Sequence, residues 1–194
     1  YGVLYNGALI VEDVPLEYQG GAVGLITSSS QIAFDNLIVE ALTDSEIIVV
    51  AATDAPMLSI PENTSLSDVE IDPIFTDGFD TLSGGASLWL PFSGQWEFVD
   101  STFTQNQREG FDLGAGYNQA FGDVTVSTTF RHLEGQGGGV LFNMTQPDSQ
   151  QNSHMVRYVH DEDFLFWGYF DETGTFTGQG SVEVTPPSSD THTL

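Results

Sequence analysis

The chain has 194 residues, 40% of them hydrophobic and 12% aromatic, enough for one sandwich-sized core and well away from the composition of disordered segments. Its formal charge is −25, from 28 acidic residues against three arginines and no lysine, which sets it against nucleic acid and anionic membrane as partners. Cysteine is absent, so disulfide staples, zinc–thiolate sites and cysteine nucleophiles are excluded, and no run approaches the ~18 apolar residues of a membrane-spanning helix.

At the N-terminus, Gly2 to Tyr5 and Ala8 to Val11 flank Asn6-Gly7, a dipeptide suited to the positive φ of a type I′ hairpin turn. The first residue is Tyr1 and not Met, which reads as a processed product or a fragment. Leu16 to Tyr18, Ala22 to Thr27 and Gln31 to Ala41 are predicted strands, separated by Gly20-Gly21 and Ser28-Ser29-Ser30 as turns. Thr43 to Thr76 is acidic and holds three prolines, and it reads as a connector with β-prone runs at Ile47–Val50 and Val69–Ile71. Within it Asp68, Glu70 and Asp72 alternate onto one face of a strand, which is first of all a solvated polar face.

From Phe75 onward short strands follow closely: Ser87–Leu90, Trp96–Val99, Thr102–Gln105, Val124–His132, Gly138–Met144, Met155–His160, Phe164–Phe170 and Phe176–Val184. Thr191 to Leu194 begins one more. In Phe164 to Phe170 both alternate faces are apolar, which predicts a strand covered on both sides. No stretch sustains a helical period, so an all-β chain with minimal helix is expected. Three segments result: closing strands over 1–42, the acidic connector over 43–75, and opening and central strands over 76–194.

The order of these pieces carries a resemblance. Asp77-Gly78-Phe79-Asp80 followed by Gly94-Gln95-Trp96-Glu97-Phe98 looks like the opening of a domain, and Gly138-Gly139-Val140-Leu141-Phe142 like its central strand. The closing elements His192-Thr193-Leu194, Tyr1 to Gly7, Gly21 to Leu25 and Phe34-Asp35-Asn36 are split across the termini. Read cyclically, the chain resembles concanavalin A-like or laminin G-like modules of large extracellular proteins. That resemblance implies an antiparallel β-sandwich of jelly-roll type at the cell surface or outside the cell. It implies a non-catalytic structural role as a repeat or as a filament or sheath subunit. Copies of the chain or adjacent repeats would assemble head to tail by strand complementation. A self-closing permuted sandwich and a lectin-like carbohydrate-binding module of an adhesin are the alternatives, with a glycoside hydrolase more remote.

The resemblance also places Asp77 and Asp80 beside Asp35, with Asn36 nearby, where they could share a Ca²⁺ ion through hard oxygen ligands. The plainer reading makes Asp35 and Asn36 turn caps and the other two solvated. The acidic surface likewise reads either as a solubilising coat or as a surface for Ca²⁺ or high salt. Trp89, Trp96, Phe164, Phe166, Trp167, Tyr169 and Phe170 are candidates for a glycan-stacking platform, Trp167 and Tyr169 foremost and on one face of the Phe164–Phe170 strand, against the plainer reading of core packing. Asn63 and Asn143 head Asn-x-Ser/Thr sequons and are candidate glycosylation sites. His160 to Asp163 reads as a hairpin loop and not as the paired carboxylates of a glycosidase. His132, His154 and His192 are far apart in sequence and suggest no zinc site.

Overall fold

A computed structural model describes residues 1–41, 74–80 and 88–194. Nearly all of the connector, with the expected strands at Ile47–Val50 and Val69–Ile71, the acidic residues 68 to 72 and the sequon at Asn63, lies outside the described residues. In chain order the strands are β1 (Val3–Tyr5), β2 (Ala8–Val11), β3 (Gly21–Ala41), β4 (Phe75–Asp77), β5 (Trp89–Pro91), β6 (Trp96–Val99) and β7 (Thr102–Gln105). They continue with β8 (Leu113–Phe121), β9 (Val124–Met144), β10 (Ser153–Val159), β11 (Phe164–Phe170), β12 (Phe176–Glu183) and β13 (Thr191–Thr193). A 3₁₀ turn spans His160–Glu162.

All pairings are antiparallel, and two 21-residue strands organise them. The first half of β3 pairs with β8 on one edge and with the second half of β9 on the other. Its second half pairs with β7 and β4 on one edge and with the first half of β9 on the other. Both strands bend where Ser29, at φ 44°, meets Gly135, at φ 98°, so each passes from one layer to the other. Layer one runs β5-β8-β3-β9-β10-β11-β12; layer two holds β6-β7-β3-β9-β13, with β4 also on β3. The result is an antiparallel β-sandwich.

The layers meet through aromatic side chains. Phe75 of β4 lies 4.3 Å from Tyr117 of β8, Trp89 of β5 lies 5.1 Å from Phe103 of β7, and Tyr158 of β10 lies 4.4 Å from His192 of β13. One core holds the inward residues of both layers, including Leu25, Phe34, Phe103, Phe130, Val156 and Trp167. A smaller cluster of Ala22, Ile26, Leu141, Met144, Met155 and Phe170 occupies the outward face of layer one, with Phe92 and Phe176 packed against it. The two-faced apolar pattern of β11 follows from this, since Leu165 and Trp167 join the main core while Phe166 and Phe170 serve the smaller one.

The N-terminal hairpin takes its turn from Asn6 at φ 49° and Gly7 at φ 77°, as Asn-Gly predicts. It completes layer two beside β13: the Asn6 amide donates to the Thr193 carbonyl, and the Thr193 amide donates to Asn6 Oδ1, both at 2.9 Å. The segments at the two ends of the chain thus join, and β3 finds every partner strand within its own chain. The structure differs from the sequence reading in several places: Leu16–Tyr18 is not a strand, the breaks at Ser28–Ser30 and Gly135–Gly137 are bends within continuous strands, and β4 and β8 are additional strands.

Candidate functional site

The outward face of layer one carries an open groove of about 600 Å³ beside the smaller core. Alternation along β10 and β11 sends Arg157, Phe164 and Phe166 to this face, and Ser181 of β12 stands opposite Phe166 in the ladder. The 3₁₀ turn brings the exposed Asp161 and Glu162 to its rim. The rings of Phe164 and Phe166 are 5.9 Å apart, and the Arg157 guanidinium carbon sits 4.6 Å from the Phe166 centroid, within cation–π range.

Arg157 is under-satisfied. Its Nη1 lies 3.7 Å from Asp112 Oδ1, too far for a hydrogen bond, and its covered Nε and Nη1 have no hydrogen-bond acceptor among the described residues. Burial lowers the guanidinium pKa, partly countered by Asp112; burial raises that of Asp112, partly countered by Arg157. The groove therefore combines an aromatic floor, a guanidinium laid against that floor with its Nε and Nη1 covered, and rim carboxylates that accept.

The residues singled out in the sequence are distributed differently. Trp167 is 7% exposed and faces the main core, tight against Gly180, so it offers almost no platform to a ligand. Tyr169 is half-buried, edge-on to Tyr18. The stacking surface on β11 belongs to Phe164 and Phe166 on the opposite face.

Asp77 is buried, with Oδ1 accepting from the Phe79 amide at 2.8 Å and Oδ2 from Trp89 Nε1 at 2.9 Å. Asp35 is exposed at a bulge in β3, where the register shifts between Phe34 and Asn36. Asn36 accepts from the Thr129 amide through its side-chain oxygen, and Asp80 is exposed. Among the described residues no group of three or more His, Asp or Glu side chains is arranged to hold a metal ion. The Asn143 side-chain amide donates to the Tyr18 carbonyl at 2.9 Å and is half-buried, so this sequon is folded into the fabric of the sandwich.

Sequence separation concealed a histidine cluster. His132 and His160 stack with centroids 3.8 Å apart, and His192 stands 6.4 Å from His160. A metal ion lies in the plane of each imidazole it binds, so two parallel rings at this spacing cannot share one. His192 instead contacts the Tyr5 hydroxyl through Nδ1 at 2.7 Å, and Tyr158 donates to Asp163 at 2.7 Å. His154, on the inner face of β10, accepts through Nε2 from the amides of Glu17 and Tyr18 at 3.0 and 3.2 Å. No family model, curated protein or solved structure matches the chain.

Proposed function

We propose that the protein is a non-catalytic, extracellular carbohydrate-binding module whose outward groove on β10–β12 takes a neutral saccharide. The groove carries this reading: Phe164 and Phe166 provide a surface for the C–H face of a pyranose, the Arg157 guanidinium packs on the Phe166 ring and holds it in place, and Asp161 and Glu162 supply acceptors. Its volume of about 600 Å³ suits a small ligand. Charge narrows the class. Three carboxylates (Asp112, Asp161, Glu162) surround one guanidinium, on a chain of net charge −25, so an anionic sugar is repelled where a hydroxyl-bearing neutral one is not. Asp161 and Glu162 are adjacent in one exposed turn, an arrangement that supports binding more than cleavage, which uses two carboxyls facing each other across the bond.

An open groove of this kind implies affinity on the order of 1 mM, about −4 kcal/mol. Titration of neutral gluco-, manno- and galacto-oligosaccharides is expected to shift the backbone resonances of Phe166, Gly178 and Ser181. Phe166→Ala and Arg157→Ala should each weaken binding about tenfold with the β-sheet circular dichroism unchanged. Saturation by an acidic oligosaccharide alone, or shifts confined to other strands, would overturn the assignment.

The open edge of β12 supports a second reading, assembly with copies of the chain or with adjacent repeats, cross-linked or screened by Ca²⁺. Among the described residues β12 pairs on one side only, through β11, and an unpaired edge is a template for strand addition. Sedimentation with and without calcium tests it; a monomer in both conditions rejects it.

A further inference from the structure

We infer that the N-terminal segment Tyr1–Tyr18 is an acid-released latch, held to the inner face of the sandwich by neutral His154 and His192.

The segment is tied down at both ends. Near its C-terminal end, the two amides of Glu17 and Tyr18 converge on His154 Nε2 at 3.0 and 3.2 Å. Two converging N–H donors require a bare lone pair, so the imidazole must be neutral with its proton on Nδ1, which is buried and meets no well-aligned acceptor among the described residues, the nearby Gly168 backbone only partly offsetting the burial. Protonation replaces that lone pair with a third N–H directed at the other two, inside a site where His154 is fully buried. Near the N-terminal end, the Tyr5 hydroxyl meets His192 Nδ1 at 2.7 Å, and His192 is 1% exposed.

The surroundings oppose a charge at both rings. Facing His154 are the Tyr1, Tyr18 and Tyr169 phenols, with Phe142 stacked 5.3 Å away. Facing His192 are Tyr5, Tyr158, His160 and His132, with Phe130 stacked at 5.2 Å; Asp163 and Asp190 act in the opposite sense. Burial is the main cause that brings both imidazoles down to about 4, with His160 and His132 adding at His192. The sign follows from these lowered values. Between pH 6.5 and about 4 the released state binds protons that the latched state refuses, so latching is complete above 6.5 and is lost as the pH falls toward 4.

The remaining side-chain ties do not titrate in this range: Asn6 with Thr193, Tyr1 with Gln179, Gln179 with the Pro15 carbonyl, and Asn143 with the Tyr18 carbonyl. Layer one keeps its own ladder when the segment leaves, because β9, β10 and β11 pair with one another and not with β1 or β2. Release uncovers the Phe142–Val156–Tyr158 surface of layer one.

Native-state hydrogen exchange on the full chain between pH 7 and 4 tests the latch, reported as protection factors corrected for intrinsic rates. Protection at the Glu17 and Tyr18 amides is expected to fall by up to about a hundredfold per pH unit below 6.5, the limiting slope of two extra protons bound when both imidazoles are released. Val140 and Val156, in the centre of layer one, should keep theirs. Protection at Glu17 and Tyr18 that persists to pH 4, or that falls together with Val140 and Val156, overturns the inference. His154→Gln retains an acceptor that does not titrate, so the slope at Glu17 and Tyr18 should flatten; an unchanged slope in a folded variant also overturns it. If that variant does not fold, the wild-type comparison decides alone.

Discussion

Asp77→Ala is expected to lower the unfolding free energy by about 3–5 kcal/mol, because it orphans two buried donors at once. Asp77 is the one fully buried carboxylate among the described residues, and it stands opposite Leu37 in the β3–β4 ladder. Its Oδ1 closes a local turn onto the Phe79 amide, two residues on, and its Oδ2 receives Trp89 Nε1. That turn holds Phe79 at φ 55°, a costly conformation for a bulky side chain, and delivers it fully buried against Trp89 and Phe103. Alanine therefore leaves the indole N–H and the Phe79 amide without acceptors and removes the reason for the turn. Asp77→Asn keeps one acceptor oxygen but turns an NH₂ toward a donor, so about half the loss is expected. Urea unfolding with and without calcium provides the check. Equal losses in both buffers assign Asp77 to this structural role, whereas a loss that vanishes in chelator assigns it to a metal. A loss under about 1 kcal/mol for Asp77→Ala, the worth of one ordinary hydrogen bond, would contradict the packing argument.

Much of the sandwich was legible from residue patterns because the determinants were local. Asn6-Gly7 specifies its turn, and the double apolar face of Phe164–Phe170 reports a strand with a core on each side. The cyclic order of motifs anticipated the union of the termini, which the Asn6–Thr193 hydrogen bonds carry out. What was missed is set by tertiary contact. Leu113-Gly114-Ala115-Gly116 has little β-propensity and is a strand because neighbours need its missing side chains. The Phe92 ring would lie 2.2 Å from a Cβ at Gly114, and the Pro147 carbonyl 2.0 Å from one at Gly116. The aromatics of β11 and their two faces were legible, but which face looks outward was not: Trp167 belongs to the core face and Phe164 and Phe166 to the groove. The histidines are joined only by the topology, through β9, β13 and the turn after β10. Residue-type signals at Ser28–Ser30 and Gly135–Gly137 were real, but they mark bends and not ends.

That bend yields the other large effect: Gly135→Ala is expected to cost more than about 3 kcal/mol, combining a strained backbone with a steric clash. Gly135 sits at φ 98°, which L side chains rarely adopt, and a Cβ there would lie 1.9 Å from the Ser29 carbonyl oxygen and 2.7 Å from Ser30 Cα. Neither neighbour is free to move. The Ser29 amide is bonded to the Gly110 carbonyl at 2.7 Å, and the Ser30 hydroxyl, donating to the Ser28 carbonyl, accepts from the Gly137 amide at 2.6 Å. Because β3 and β9 both change layers here, a shift at Gly135 spreads along both long strands and to every strand paired with them. Gly122→Ala is the control, since a Cβ at that position meets nothing within 4 Å, and its effect should stay within about 0.5 kcal/mol. Thermal unfolding followed by circular dichroism compares the pair. If Gly135→Ala melts with Gly122→Ala, the crossing is not what holds the two layers in register. If it melts far below, the sandwich depends on a glycine whose role is to let one strand pass close over another.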